Sequence, residues 1–171
     1  MDMNGKIWAV LLVSILALGY GSQAGSQQAG KPTPAITESF ASGEVSPGQT
    51  WKVYLKISDP QGEIANIYAT VEQPGMGTYP LSIIKVKEGN QKELSGYIYL
   101  STSNPVSSLD SVNLTLTVQV QDSSGNLSQP AVFPLSINNR YNQKAPPLGI
   151  FQEKEIGPIM VTLRTILPNK G

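Results

Sequence analysis

Between Val112 and Val120 the chain alternates without a break. Val112, Leu114, Leu116, Val118 and Val120 take one parity, and Asn113, Thr115, Thr117 and Gln119 take the other. A helix would scatter the five apolar residues around its circumference, whereas a strand gathers them on one side. This run must therefore be a strand with one greasy face and one wet face, and its greasy face needs a second sheet to cover it. The same two-residue period returns at Trp51, Val53, Leu55 and Ile57, against Lys52, Tyr54 and Lys56. Further strands are expected near Ile36–Phe40, Ile64–Gln73, Leu81–Lys87, Leu94–Leu100 and Leu127–Ile137, which makes seven in all.

Turn chemistry separates them. Asp59-Pro60-Gln61-Gly62 places proline where φ is preset and glycine where φ turns positive. Glu88-Gly89-Asn90 and Asp122-Ser123-Ser124-Gly125-Asn126 are turns of the same kind. Pro130 and Pro134 each remove a ladder donor from the last strand, so that strand belongs at or near an edge.

The segment Val118-Gln119-Val120-Gln121-Asp122-Ser123-Ser124-Gly125-Asn126-Leu127-Ser128 resembles the F strand, hairpin and G strand of bacterial immunoglobulin-like and fibronectin type III-like modules. Ile57-Ser58-Asp59-Pro60-Gln61-Gly62-Glu63-Ile64 is similar to their B-to-C turn, and Ser46-Pro47-Gly48-Gln49-Thr50 to their A-to-B approach. The resemblance implies an all-β, immunoglobulin-like antiparallel β-sandwich over residues 35–139. The chain departs from the pattern in lacking inter-sheet cysteines and in carrying Leu114 where many such modules have a corner tyrosine.

Ahead of the sandwich, Met1 to Lys6 ends in a positive charge, Ile7 to Tyr20 is uncharged and mostly apolar, and Gly21 to Ser26 is small and polar. That is the pattern of a secretory signal peptide, with cleavage expected after Ala24 and a disordered spacer over residues 25–34. The apolar run falls short of the ~20 residues needed to span hydrocarbon, so no membrane span is expected after the signal is removed. After Ile137 the alternation breaks into a linker-like run up to Pro147, and residues 140–171 read as linker and C-terminal extension, with a strand in which Ile159, Val161 and Leu163 alternate with Met160, Thr162 and Arg164. Such a strand serves either to cover an edge of its own sandwich or to join the sheet of a neighbouring chain, the first being favoured.

Composition narrows the chemistry. The chain has no histidine and no cysteine, so a Ser-His-Asp triad, a thiolate nucleophile, a disulfide and a His or Cys metal site are all excluded. Lys plus Arg and Asp plus Glu both number 12, with no long run of either sign, so no nucleic-acid partner is expected. Carboxylate pairs remain the one route to acid–base catalysis, and here the acids are spread singly. No enzyme is expected.

Two surfaces stand out within the implied topology. The B–C and F–G loops would share one end, bringing together Asp59, Glu63, Asp122 and Asn126, which are oxygen ligands suited to calcium but equally the residues that turns require. If strands B and E pair, Tyr54, Tyr97 and Tyr99 share an outward face with Lys52 and Lys56. That face suits a sugar or a protein partner, or simply pairs tyrosines across strands. The function expected is an exported, non-catalytic interaction or structural module of the periplasm or cell surface, binding a protein of the envelope. The alternative is a polysaccharide-binding module acting through the tyrosines. Calcium apart, no cofactor is expected.

Overall fold

A computed structural model describes residues 32–103, 112–140 and 142–164. The expected signal peptide and residues 25–31 of the spacer lie outside the described residues. Ten strands are present among them: β1 (Ala35–Ala41), β2 (Glu44–Val45), β3 (Thr50–Ser58), β4 (Ile64–Gln73), β5 (Gly77–Thr78), β6 (Ser82–Lys85), β7 (Glu93–Ser101), β8 (Val112–Asp122), β9 (Ala131–Ile137) and β10 (Glu155–Pro158). No helix occurs among the described residues.

The long alternating runs form the strands that carry the core. On β8 the even-numbered residues from Leu114 to Val120 are buried and the intervening ones are not. On β3, Trp51, Val53, Leu55 and Ile57 are buried likewise. One sheet has the order β1-β3-β7-β10 and the other β2-β9-β8-β4-β5, with β6 also paired to β4. Their apolar faces meet in one cluster that includes Trp51, Leu55, Ile67, Ile98, Leu116 and Ile137. Fully burying each such side chain contributes about 1.5–3 kcal/mol. Trp51 satisfies its indole N–H by donating to the Ser42 carbonyl at 2.7 Å, so no unpaired donor is left inside the core.

The chain enters through a divided first strand. β1 lies antiparallel to β3 in one sheet, and β2, three residues on, lies parallel to β9 in the other. With β3 and β7 in the first sheet and β4, β8 and β9 in the second, this is an immunoglobulin-like β-sandwich. Two departures from the sequence reading have simple causes. The sheets are mixed rather than wholly antiparallel, because β2 and β10 each pair in parallel with a neighbour. Pairs as short as these leave almost no periodic signal. The expected strand at Leu127–Ile137 begins only at Ala131. Leu127 forms an isolated bridge to Gln121, and Pro130 has no N–H to continue a ladder from it.

The C-terminal strand is also displaced. β10 occupies Glu155–Pro158, just before the alternating residues, and runs parallel to β7. Ile159 and Leu163 are buried in the core of their own sandwich at 4% and 2% exposure, and Val161 packs against it. Their alternation reflects a short irregular segment closing the opening between the sheets, rather than a strand of its own.

A strap across the outer face

Residues 142–164 form a strap, whose first part is the end of the expected linker, residues 142–147. Beyond the end of β1, the Thr50–Lys52 stretch of β3 would have an unpaired edge. Gln143 fills it with its side chain: the Lys52 N–H donates to Gln143 Oε1 at 3.0 Å, and Gln143 Nε2 donates to the Thr50 carbonyl at 3.1 Å. A primary amide matches the donor and acceptor of a neighbouring strand. The Lys144 N–H then donates to Ser42 Oγ at 3.0 Å.

After an exposed loop the strap returns at Phe151. Tyr54 and Tyr97 are cross-strand partners, as are Lys52 and Tyr99, so the four share the outer face of the sheet. Phe40 stacks against Tyr54 from β1 at 6.4 Å between ring centroids, and Phe151 joins it from the strap at 5.7 Å. Glu153 closes the contact. Its Oε2 accepts from Lys52 Nζ at 2.8 Å, and its Oε1 accepts from Tyr54 Oη at 2.6 Å. The Lys52 ammonium also lies 4.2 Å from the Tyr97 ring centroid, within cation–π range.

These neighbours set the protonation of the group. Hydrogen bonds from Lys52 and Tyr54 hold the Glu153 carboxyl below its ordinary value. The hydrogen bond to Glu153 raises Lys52. Burial, and then Glu153, push the Tyr54 hydroxyl up to about 12.

Tyr54, expected on an open face, is instead buried, at 5% exposure. Alternation states which side of a sheet a residue takes; it does not state whether another segment lies on that side. Tyr97 and Tyr99 remain half-buried, and Lys56 lies away from the strap contact, ion-paired to Glu38 at 2.9 Å.

From Lys154 onward the strap leaves the face for the edge. The Tyr97 N–H donates to the Lys154 carbonyl at 2.9 Å, and the Ile159 N–H to the Tyr99 carbonyl at 2.7 Å. Two glycines permit this approach. A Cβ at Gly96 would lie 2.3 Å from the Lys154 carbonyl oxygen, and one at Gly157 would lie 2.7 Å from Ile84 Cγ2. The end of the strap is tied to the other sheet: Gln73 Nε2 donates to the Arg164 carbonyl, the Arg164 N–H donates to Tyr79 Oη, and Tyr79 Oη donates to Gln73 Oε1.

The calcium candidates do come to one end of the sandwich, where the Ser123 N–H donates to the Glu63 carbonyl at 2.9 Å. Their oxygens are engaged in building the turns. Asp59 Oδ1 and Oδ2 accept from the Gln61 and Glu63 amides, and Asp122 Oδ1 and Oδ2 accept from the backbone and side chain of Asn126. Glu63 Oε2 accepts from Ser123 and Ser124. Among the described residues no group of three or more acidic side chains converges on a common point.

Glu153, Phe151 and Gln143 were missed by sequence reasoning, because nothing periodic marks them. Gly96 did carry a signal, since a lone glycine inside a strand denotes a bulge or the close approach of another backbone.

Between the strap and the outer face runs a groove of about 780 Å³. Its floor includes Glu38, Lys56, Glu93 and Ser95, and its wall is Ile150 and Phe151. The loop beside it, Ala145 to Ile150, is largely exposed, with Leu148 at 98% and Ile150 at 39% exposure.

No family model matches the chain, and no curated protein matches it. Among solved structures the chain is similar to the PKD domain of an M14-like peptidase from a Thermoplasmatales archaeon, at 13% identity with a TM-score of 0.40, over 62% of this chain and 96% of that one. It is also similar to a CARDB domain from Pyrococcus furiosus, solved in complex with di-metal ions, at 10% identity with a TM-score of 0.33, over 63% of this chain and 87% of that one.

Proposed function

We propose that this chain is an exported, non-catalytic binding module of the periplasm or cell surface that engages a protein partner through the strap loop. The observation that carries this reading is Leu148, 98% exposed at the tip of a loop held at both ends. Gln143 and Lys144 fix one end of the loop, and Phe151 to Lys154 fix the other. An apolar side chain presented by a pre-positioned loop loses little freedom on binding, which is what a contact residue requires.

The N-terminal charge, apolar run and small-residue site support export. Glu38 and Glu93 both line the groove, but Glu38 is ion-paired to Lys56 and Glu93 is exposed, so neither has the dry apolar setting that a carboxylic-acid proton donor needs.

The test is cross-linking of the tagged full chain in its native envelope, comparing wild type with Leu148→Asp and with Val132→Asp, which alters an exposed residue far from the loop. A discrete cross-linked product should vanish in the first variant and persist in the second. Equal products from both would remove the loop from the reading.

A further inference from the structure

The sheet that the strap does not cross carries a neutral polar patch on its outer face. In the register of β4 with β8, Asn66 stands opposite Gln121 and Tyr68 opposite Gln119. Ile67, Val118 and Val120 take the other parity into the core, so these four point outward, and each is half-buried.

Hydrogen bonds hold them in fixed directions. Tyr68 Oη and Asn66 Nδ2 both donate to Gln121 Oε1, the second at 3.2 Å. The Gln121 amide is thus anchored at its oxygen, while its Nε2 donors meet no acceptor among the described residues. Gln119 is anchored at the other end, Nε2 donating to the Ser128 carbonyl at 3.2 Å, which leaves its Oε1 as an acceptor beside the uncommitted Asn66 Oδ1. Because Tyr68 reaches across to the next strand and one row along, its ring lies over the sheet instead of standing upright on it.

Apolar side chains flank the patch. Ile83, opposite Tyr68 on β6, is 54% exposed, and Leu127, bridged to Gln121, is 44% exposed. Charges stand only at the rim, with opposite signs: Lys85 opposite Asn66, and Glu63 just before β4, where it accepts from Ser123 and Ser124. A fitting ligand is therefore neutral, presents donors and acceptors side by side, and has an apolar face for the tyrosine. A sugar ring meets all three conditions, since each hydroxyl both donates and accepts and the C–H face stacks on an aromatic ring. A folded protein would have to match three oriented amides at the centre of an interface, where apolar groups ordinarily lie.

We propose that this patch binds a neutral polysaccharide, one sugar residue lying on Tyr68 with its hydroxyls between Gln121 Nε2, Asn66 Oδ1 and Gln119 Oε1. The surface is an open sheet face, so it takes an internal stretch of a long chain. The site is separate from the strap loop and stands or falls without it.

The test is affinity electrophoresis of the full chain in gels cast with mixed-linkage β-glucan, galactomannan or dextran, which are neutral, or with anionic polygalacturonate, each against a gel without polysaccharide. Wild type should be retarded in at least one neutral gel and not by polygalacturonate. Gln121→Glu keeps an oxygen for Tyr68 and Asn66 but removes the outward donors, so it should melt as a folded protein and bind roughly fivefold more weakly or worse. Tyr68→Ala should lose the retardation, and Leu148→Asp should keep it. Retardation in no neutral gel, retardation by polygalacturonate that Lys85→Gln removes, or a dimer in sedimentation that Gln121→Glu abolishes would each overturn the assignment.

Discussion

Gly96 shows how a single position can decide whether a segment docks. It sits on the inner parity of β7 between Leu94 and Ile98, where a larger residue would ordinarily pack. A methyl group there would meet the Lys154 carbonyl at 2.3 Å, well inside contact distance, and that carbonyl belongs to backbone that cannot rotate away. Gly96→Ala should therefore lift β10 and destabilise the protein by about 1–3 kcal/mol, in the range of overpacked sites. Hydrogen exchange at the Tyr97 and Ile159 amides, both bonded across this junction, should accelerate while exchange within β4 and β8 stays slow. Unchanged exchange at those two amides would show that the strap tolerates the methyl group. At this scale the sequence was informative about parity and silent about company. It put Tyr54 on the correct side of β3, yet no pattern in residues 140–153 announced that Phe151 and Glu153 would lie over it. Those contacts join residues about a hundred positions apart, by single side chains in a segment with no repeat.

For the strap as an element, the group formed by Lys52, Tyr54 and Glu153 acts as a clasp with a defined pH range. Glu153 has its value lowered from 4.5 in the folded protein, so its contribution is complete above the ordinary carboxylate value and is lost as pH falls through the lowered one. Lys52 is raised from 10.5, so its contribution is complete below that value and is lost as pH rises past the raised one. Tyr54, raised from 10.0 to about 12, also favours folding less as the unfolded chain begins to ionise above its ordinary value. The clasp should thus hold from about pH 5 to pH 10 and loosen on either side. Carbonyl carbon shifts of Phe151 and Gln152, followed from pH 3 to pH 12, should show both limbs, and Glu153→Gln should remove the acid limb and weaken the alkaline one, because Glu153 is what raises Lys52. Flat signals down to pH 3 in the wild type would mean that the strap is held by other contacts. The strands that carry the core were legible because burial on one face imposes a period of two. β2, β5 and β10, at two to four residues each, are too short to display one.

On the scale of the whole molecule, strap and sandwich share one core. Ile159 and Leu163 belong to the same buried cluster as Trp51, Leu55 and Ile98, so the strap should not melt as a separate unit. Leu163→Ala should cost about 2–5 kcal/mol and lower the single unfolding transition. Met160→Ala, at a residue 75% exposed, should stay within about 0.5 kcal/mol of wild type. Two resolved transitions in thermal unfolding followed by circular dichroism would contradict the shared core. The architecture was readable in advance from strand count, alternation and turn chemistry. The closure of the opening between the sheets was not, because it depends on how far a loop travels before it turns back, and composition does not encode that distance.

Because β10 runs parallel to β7, the chain enters and leaves the sandwich at opposite poles. Ala35 opens β1 beside Ser58, and Arg164 ends beside Gln73 and Tyr79, at the far end of β4. Tension applied through the two ends would therefore pull lengthwise on the β1–β3 and β10–β7 ladders, straining their hydrogen bonds together instead of peeling them one by one. A module threaded in that way would bear load as a link in series, its last segment gripped by the short final ladder, by the burial of Ile159 and Leu163, and by the bonds from Arg164 to Gln73 and Tyr79.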